Sequence, residues 1–118
     1  MFAGIAKKDI EIYAGADNII RIKLKDEQGE SLRFVDCQFE AGIKLRTGAK
    51  LPDAVFEVTS DDGIELRMSA VESTKLIDKT GKHDVNAYYD VMMITNNGER
   101  WCIVYGDARI KRGVMIHA

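Results

Sequence analysis

The stretch AYYDVMMITNNGERWCIVYGDARI, residues 87–110, decides the fold. Tyr89, Val91 and Met93 alternate with Tyr88, Asp90, Met92 and Ile94, the period-two pattern of a β-strand. Asn96-Asn97-Gly98 then signals a tight turn, because Asn and Gly accept the positive φ that short hairpin loops need. Arg100-Trp101-Cys102-Ile103-Val104-Tyr105 brings the chain back. The two runs predict an antiparallel hairpin, and the apolar character of both faces of Val85 to Thr95 predicts a central strand. Gly106-Asp107 interrupts the return, after which Ala108, Ile110, Val114 and Ile116 predict a final strand or a bent continuation.

The chain before this hairpin has the same grammar. Asp9 to Tyr13 alternates, Ala14-Gly15-Ala16-Asp17-Asn18 breaks the pattern, and Ile20, Ile22 and Leu24 alternate with Arg21, Lys23 and Lys25. This predicts a first hairpin with Asp9 and Glu11 set across from Arg21 and Lys23. After the turn Asp26-Glu27-Gln28-Gly29 and the short run Leu32-Arg33-Phe34 comes a long strand with Cys37, Phe39, Ala41, Ile43 and Leu45 on one parity. Arg46 to Asp53, with Thr47-Gly48 and the lone Pro52, predicts a surface loop. Ala54, Phe56 and Val58, the turn Asp61-Asp62-Gly63, and Ile64, Leu66 and Met68 predict another hairpin. Ser69 to Ile77 leaves the period of two and carries Ser three residues before Glu72, a capping box, which predicts one or two helical turns packed through Val71, Leu76 or Ile77.

Seven to eight short strands with one short helical turn, in 118 residues, predict an all-β fold: a two-sheet antiparallel β-sandwich, immunoglobulin-like in size and forming one domain over 1–118. Residues 1–8 and 117–118 are expected to be flexible ends. The expected core is Ile20, Ile22, Leu24, Phe39, Ile43, Phe56, Val58, Leu66, Met68, Tyr89, Val91 and Trp101. Lys and Arg number 17 against 19 Asp and Glu, a net charge of −2, which lacks the dense positive field of a duplex-binding protein. No apolar run approaches the ~20 residues that span a bilayer, and no leader pattern opens the chain, so it is expected to fold in the cytoplasm. Neither a nucleic acid nor a membrane is an expected partner.

Catalytic apparatus is not visible. Gly-x-Ser-x-Gly, His-Glu-x-x-His and Gly-x-x-x-x-Gly-Lys motifs are all missing, and His83 and His117 read as an exposed loop residue and a tail residue. Cys37 and Cys102 are far apart and belong to no ligand pair, so two free thiols are expected rather than a bridge between sheets. The acidic clusters Asp26/Glu27/Glu30 and Asp61/Asp62 lack the spacing of a calcium loop and read as turns. Arg109-Ile110-Lys111-Arg112 reads as a solvated strand face. Tyr88, Tyr89, Trp101 and Tyr105 suit either a glycan or base platform or, as favoured here, a sandwich core. No enzyme activity, catalytic residue, metal, cofactor or small-molecule substrate is expected.

The ordered series AGADN, IIRIKLKDEQGESL, CQFEAGIKL, AVFEVTSDDGIELRMS, AVESTKLI and the 87–110 block resembles the small immunoglobulin-like β-sandwich proteins and N-terminal domains of tailed bacteriophages and prophages, including baseplate and fibre-adaptor proteins. The resemblance covers most of residues 9–116. Arg33-Phe34-Val35-Asp36 stands where that family ends its third segment in Leu-Thr-Gly. It implies a non-enzymatic virion component, in tail, baseplate, neck or head surface, that acts by assembly with itself as a homo-oligomer or with other virion proteins. A ligand-binding module for a glycan or nucleotide, using the aromatic hairpin, is the alternative. Apolar residues on both faces of the 87–110 hairpin need a second cover, so Tyr88, Met92, Ile94, Cys102 and Val104, with Arg46, Lys50 and Leu51 of the loop, are the interface candidates.

Overall fold

The computed structural model describes residues 6–25, 28–30, 34, 36–46, 48–61, 63–80 and 84–112. In chain order the elements are β1 (Ala6–Lys7), β2 (Ile10–Ala14), β3 (Asn18–Ile22), β4 (Gln38–Lys44), β5 (Ala54–Asp61), β6 (Gly63–Met68), α1 (Ala70–Thr80), β7 (Asp84–Ile94) and β8 (Arg100–Arg112). The ladder runs β1-β8-β7-β4-β5-β6-β3, with β2 also on β8. It folds over on itself at β5, whose Ala54–Phe56 pair with β4 and whose Glu57–Asp61 pair with β6. One layer is therefore β8-β7-β4 with β1 and β2 along the far edge of β8, and the other is β5-β6-β3, a two-layer β-sandwich.

The Asp61–Gly63 and Thr95–Gly98 turns are where the sequence places them. Gly63 and Gly98 take φ of 120° and 84°, and the Gly98 amide donates to the Thr95 carbonyl at 2.9 Å. The first expected hairpin is not formed. β2 runs parallel to β8 and β3 pairs antiparallel with β6, so the two alternating runs lie in different sheets. Alternation reports only that a strand has one buried face; the partner is chosen by tertiary packing. The charges expected to face each other are accordingly satisfied elsewhere: Glu11 meets Lys111 at 3.1 Å and Arg21 meets Glu65 at 3.1 Å.

What holds the crossing from β2 to β3 is polar. Asn18 bridges the bend by accepting from the Tyr13 amide at 2.9 Å and donating to the Tyr13 and Ala16 carbonyls. The Ser73 hydroxyl, fully buried on α1, accepts from the Gly15 amide and donates toward the Ala16 carbonyl, both at 3.0 Å. Helix α1 starts as the capping box predicts, with the Ser69 hydroxyl accepting from the Glu72 amide at 3.1 Å. At 11 residues it is longer than expected, because Leu76 and Ile77 reach the core; Val71 instead points to solvent.

Between the sheets lie Ile12, Ile22, Ile43, Phe56, Leu66, Met68, Tyr89, Val91, Ile103 and Ile110. Ile20, Phe39 and Val58 of the expected core are only partly buried at its margin, and Trp101 is 49% exposed, because the end of the β7–β8 hairpin extends past the cover of the second sheet. The expectation of a flexible N-terminal end is corrected for residues 6–8; residues 1–5 and 113–118, with Val114 and Ile116 of the expected final strand, lie outside the described residues. Ala6–Lys7 pair with Val104 and Tyr105, the Lys8 amide donates to the Tyr105 carbonyl at 2.9 Å, and Tyr89 Oη donates to the Lys8 carbonyl at 2.6 Å. Gly106 does not end β8. A side chain there would run into the Lys8 carbonyl, so glycine lets the N-terminal strand cross over β8.

Two stability predictions follow from this crossing. Gly98 has open space around it, so Gly98→Ala costs only the strain of its positive φ, about 1 kcal/mol. Gly106→Ala must displace backbone, and is expected to cost about 3 kcal/mol. Urea midpoints of the two variants give the order, and equal values would remove the crossing from the account. Burial and then the nearby Asp9 charge push the Tyr89 phenol up to about 12 from 10.0. Between pH 10 and 12 the unfolded chain releases this proton and the folded one keeps it, so stability falls as pH rises through that window. Tyr89→Phe is expected to flatten that fall while losing roughly 1 kcal/mol for the hydrogen bond.

Candidate functional site

The sequence alone could not say which parity of β7 faces out. In the structure Ala87, Tyr89, Val91 and Met93 are buried, and Tyr88, Asp90, Met92 and Ile94 form the outer face. Registers on either side extend this face in rows: Lys44, Tyr88 and Asp107; Gly42, Asp90 and Tyr105; Glu40, Met92 and Cys102; Gln38, Ile94 and Arg100. Tyr88 and Tyr105 sit on one diagonal of a small checkerboard and Asp90 and Asp107 on the other. Both tyrosines are exposed, at 45% and 44%.

Of the interface candidates, Tyr88, Met92, Ile94 and Cys102 share this face. Val104 does not. The ladder shifts between Val91 and Met92, so that Val91 opposes Val104 while Met92 opposes Cys102, and Ile103 is an extra residue between them. This β-bulge reverses the parity of β8, and Ile103 and Val104 are both 0% exposed. Three of the four aromatics expected in the core are on the surface, Tyr89 alone being buried.

Loop candidates Arg46, Lys50 and Leu51 are exposed, and Lys50 meets the same face. The loop is closed at its neck by the Asp53 amide on the Ile43 carbonyl and by the Asp53 carboxylate accepting from the Leu45 amide, both at 2.8 Å. It lays Pro52 over Gly42, where a Cβ would come within 2.7 Å of the proline ring. The result is a groove of about 340 Å³ floored by Gly42 and walled by Lys44, Lys50, Pro52, Asp90 and Met92. Sequence reading missed Gly42, Lys44, Asp90 and Tyr105; knowing the outward parity of β7 would have found them, since register then fixes their neighbours.

Charge on this face is only partly compensated. Arg100 meets Glu40 at 2.7 Å across β7, an exposed pair of roughly 0 to 1 kcal/mol. No ion pair involves Lys44, Lys50, Asp90 or Asp107 among the described residues. The outer face of the other sheet is different, because Glu65 receives both Arg21 at 3.1 Å and Arg67 at 2.8 Å, which holds its carboxyl below the usual range. Ile19 and Val55 are exposed beside these pairs.

Cys37 and Cys102 are free thiols, both half-buried. Cys37 immediately precedes β4, whereas Cys102 on β8 is two strands over and three residues along, in the Glu40 row, about 14 Å away and too far for a disulfide. Burial first and then the Asp90 carboxylate push the Cys102 thiol up, against a contact with the Val104 carbonyl at 3.6 Å. The histidines His83 and His117 lie outside the described residues, as do Asp26, Glu27 and Asp62 of the acidic turns. Among the described residues no group of three His, Cys, Asp or Glu could hold a metal ion.

No family model matches the chain, and no curated protein matches it. Among solved structures it is similar to the M3 domain of titin, at 12% identity and a TM-score of 0.46, over 95% of this chain and 96% of that one.

The Cys102 environment is testable by alkylation in a Cys37→Ser background. Reaction at neutral pH is expected to be slower than for a free thiol, because less thiolate is present, and Asp90→Asn is expected to speed it. An unchanged rate in that variant would separate Asp90 from the thiol.

Proposed function

We propose that this protein is a non-enzymatic structural module of a phage or prophage virion, an adaptor of tail, baseplate or neck, and that it acts through protein contact by the outer face of β4, β7 and β8. The observation that carries the contact is the composition of that face. Exposed Tyr88 and Tyr105 and partly exposed Met92 and Ile94 stand beside charges that lack ion pairs among the described residues. Tyrosine and methionine are enriched in contact surfaces, tyrosine because its rigid ring gives large area at low entropic cost and methionine because its flexible thioether adapts to a partner, and the groove at Gly42 offers a recess for a partner side chain. The virion setting comes from the resemblance of the 87–110 block.

One observation favours a second reading. Tyr88, Trp101 and Tyr105 are on the surface rather than in the core, and exposed aromatic rings stack on sugars or bases. Particles produced from a genome carrying this gene separate the two. The adaptor reading expects the protein at fixed stoichiometry in purified particles and its loss from them in a folded Met92→Lys variant. Particles free of the protein, together with glycan or nucleotide binding that Tyr88→Ser abolishes, would establish the ligand module instead.

A further inference from the structure

We infer that the occupant of the outer β4-β7-β8 face is a second copy of this chain, packed face to face about a two-fold axis parallel to the strands. The inference rests on reading this face as a contact surface and adds the partner and the register.

Such an axis keeps each row at its own height and exchanges left for right, so β4 of one copy covers β8 of the other and β7 covers β7. The rows then match. Lys44 faces the partner's Asp107, joining two charges that have no ion pair among the described residues of the single chain. In the Gly42 row Pro52 already stands over the glycine, so the partner's Tyr105 packs beside the Pro52 ring and Lys50 rather than on Gly42 itself. Tyr88, Met92 and Ile94 each meet their own copies along the axis, an apolar stripe interrupted by Asp90 and by the Glu40–Arg100 pair that crosses β7. Both the Lys44–Asp107 and the Pro52–Tyr105 contacts occur twice, as an isologous interface requires. A two-fold axis across the strands sets Asp107 against the partner's Arg100, which Glu40 already holds, and Lys44 against the partner's Gln38, so Lys44 stays without an opposite charge.

One contact opposes the pairing. Asp90 lies in the β7 row on the axis and faces its own copy, and like charges at close range are unfavourable. Three strands over seven residues also give only roughly 350 Å² of flat sheet per copy, against the ~800 Å² of a standard interface. The dimer is therefore weak and reversible, and its strength is limited by Asp90.

Sedimentation equilibrium of the intact chain over a micromolar-to-millimolar series tests this, with far-UV circular dichroism confirming that each variant is folded. Lys44 and Asp107 lie outside the core, so charge reversal leaves the fold intact. Lys44→Glu and Asp107→Lys are each expected to weaken the dimer about tenfold or more, and the double variant to restore it to near the original strength. Asp90→Asn is expected to tighten it. A chain that is monomeric throughout, single reversals without effect, or a double variant that is not restored overturns the pairing. If the chain is monomeric while Met92→Lys still excludes it from particles, self-pairing fails and the contact face stands; if both fail, the adaptor reading goes with it.

Discussion

Ile103 sets the phase on which the rest of the molecule depends. β8 has 13 residues and borders β7 on one side and β1 and β2 on the other. With strict alternation, the inward set Val104, Gly106, Ala108 and Ile110 would continue through Cys102 to Arg100 and carry a guanidinium toward the core. The extra residue prevents this by keeping Ile103 and Val104 both inside and turning Cys102 and Arg100 outward. Arg100 can then reach Glu40 across the face, and the lower half of the strand keeps its inward register for β1 and β2.

That register also fixes the N-terminal crossing. β1 and β2 follow β8 in parallel, but between their pairs the chain steps inward at Lys8 and Asp9, directly over Gly106. The step takes backbone groups out of the ladder, and the part-buried Lys8 carbonyl left unpaired would cost about 1 kcal/mol or more. Three hydrogen bonds answer it: the Lys8 amide to Tyr105, Tyr89 to the Lys8 carbonyl, and the Asp107 amide to the Asp9 carboxylate at 3.1 Å. Tyr89 is thus both a core ring and the donor that secures the first strand, so one side chain couples the central hairpin to the chain's beginning.

Local signals were legible where local chemistry decides the outcome. Asn97-Gly98 and Asp61-Gly63 specify their turns through φ alone, and Ser69 specifies the start of α1 through one amide. The β2–β3 break looked like a hairpin loop because Gly15, Asp17 and Asn18 suit one; what sends the chain to the other sheet is Ser73, 58 residues beyond Gly15, and nothing near Gly15 announces it. The candidate face was half legible. Its apolar surplus is written in Tyr88, Met92 and Ile94, but its second strand was misassigned at Val104, although the consecutive apolar pair Ile103-Val104 is the trace that a bulge leaves in a sequence. Trp101 shows the limit of parity, since it opposes buried Met93 and still lies half in water where the core ends.

The two outer faces show how one fold divides its surface chemistry. On β3 and β6 Glu65 stands between Arg21 across the strands and Arg67 along its own strand, so a neighbour that docks over them would have to disrupt pairs already made. On β4, β7 and β8 the aspartates alternate diagonally with tyrosines. A continuous stripe of Tyr88, Tyr105 and Met92 would attract any apolar surface, while interleaved Asp90 and Asp107 penalise every partner that cannot answer their charge. For a partner docked on this face, as proposed, the same carboxylates would set selectivity through the cost of leaving Asp107 unanswered more than through the area of the rings beside it.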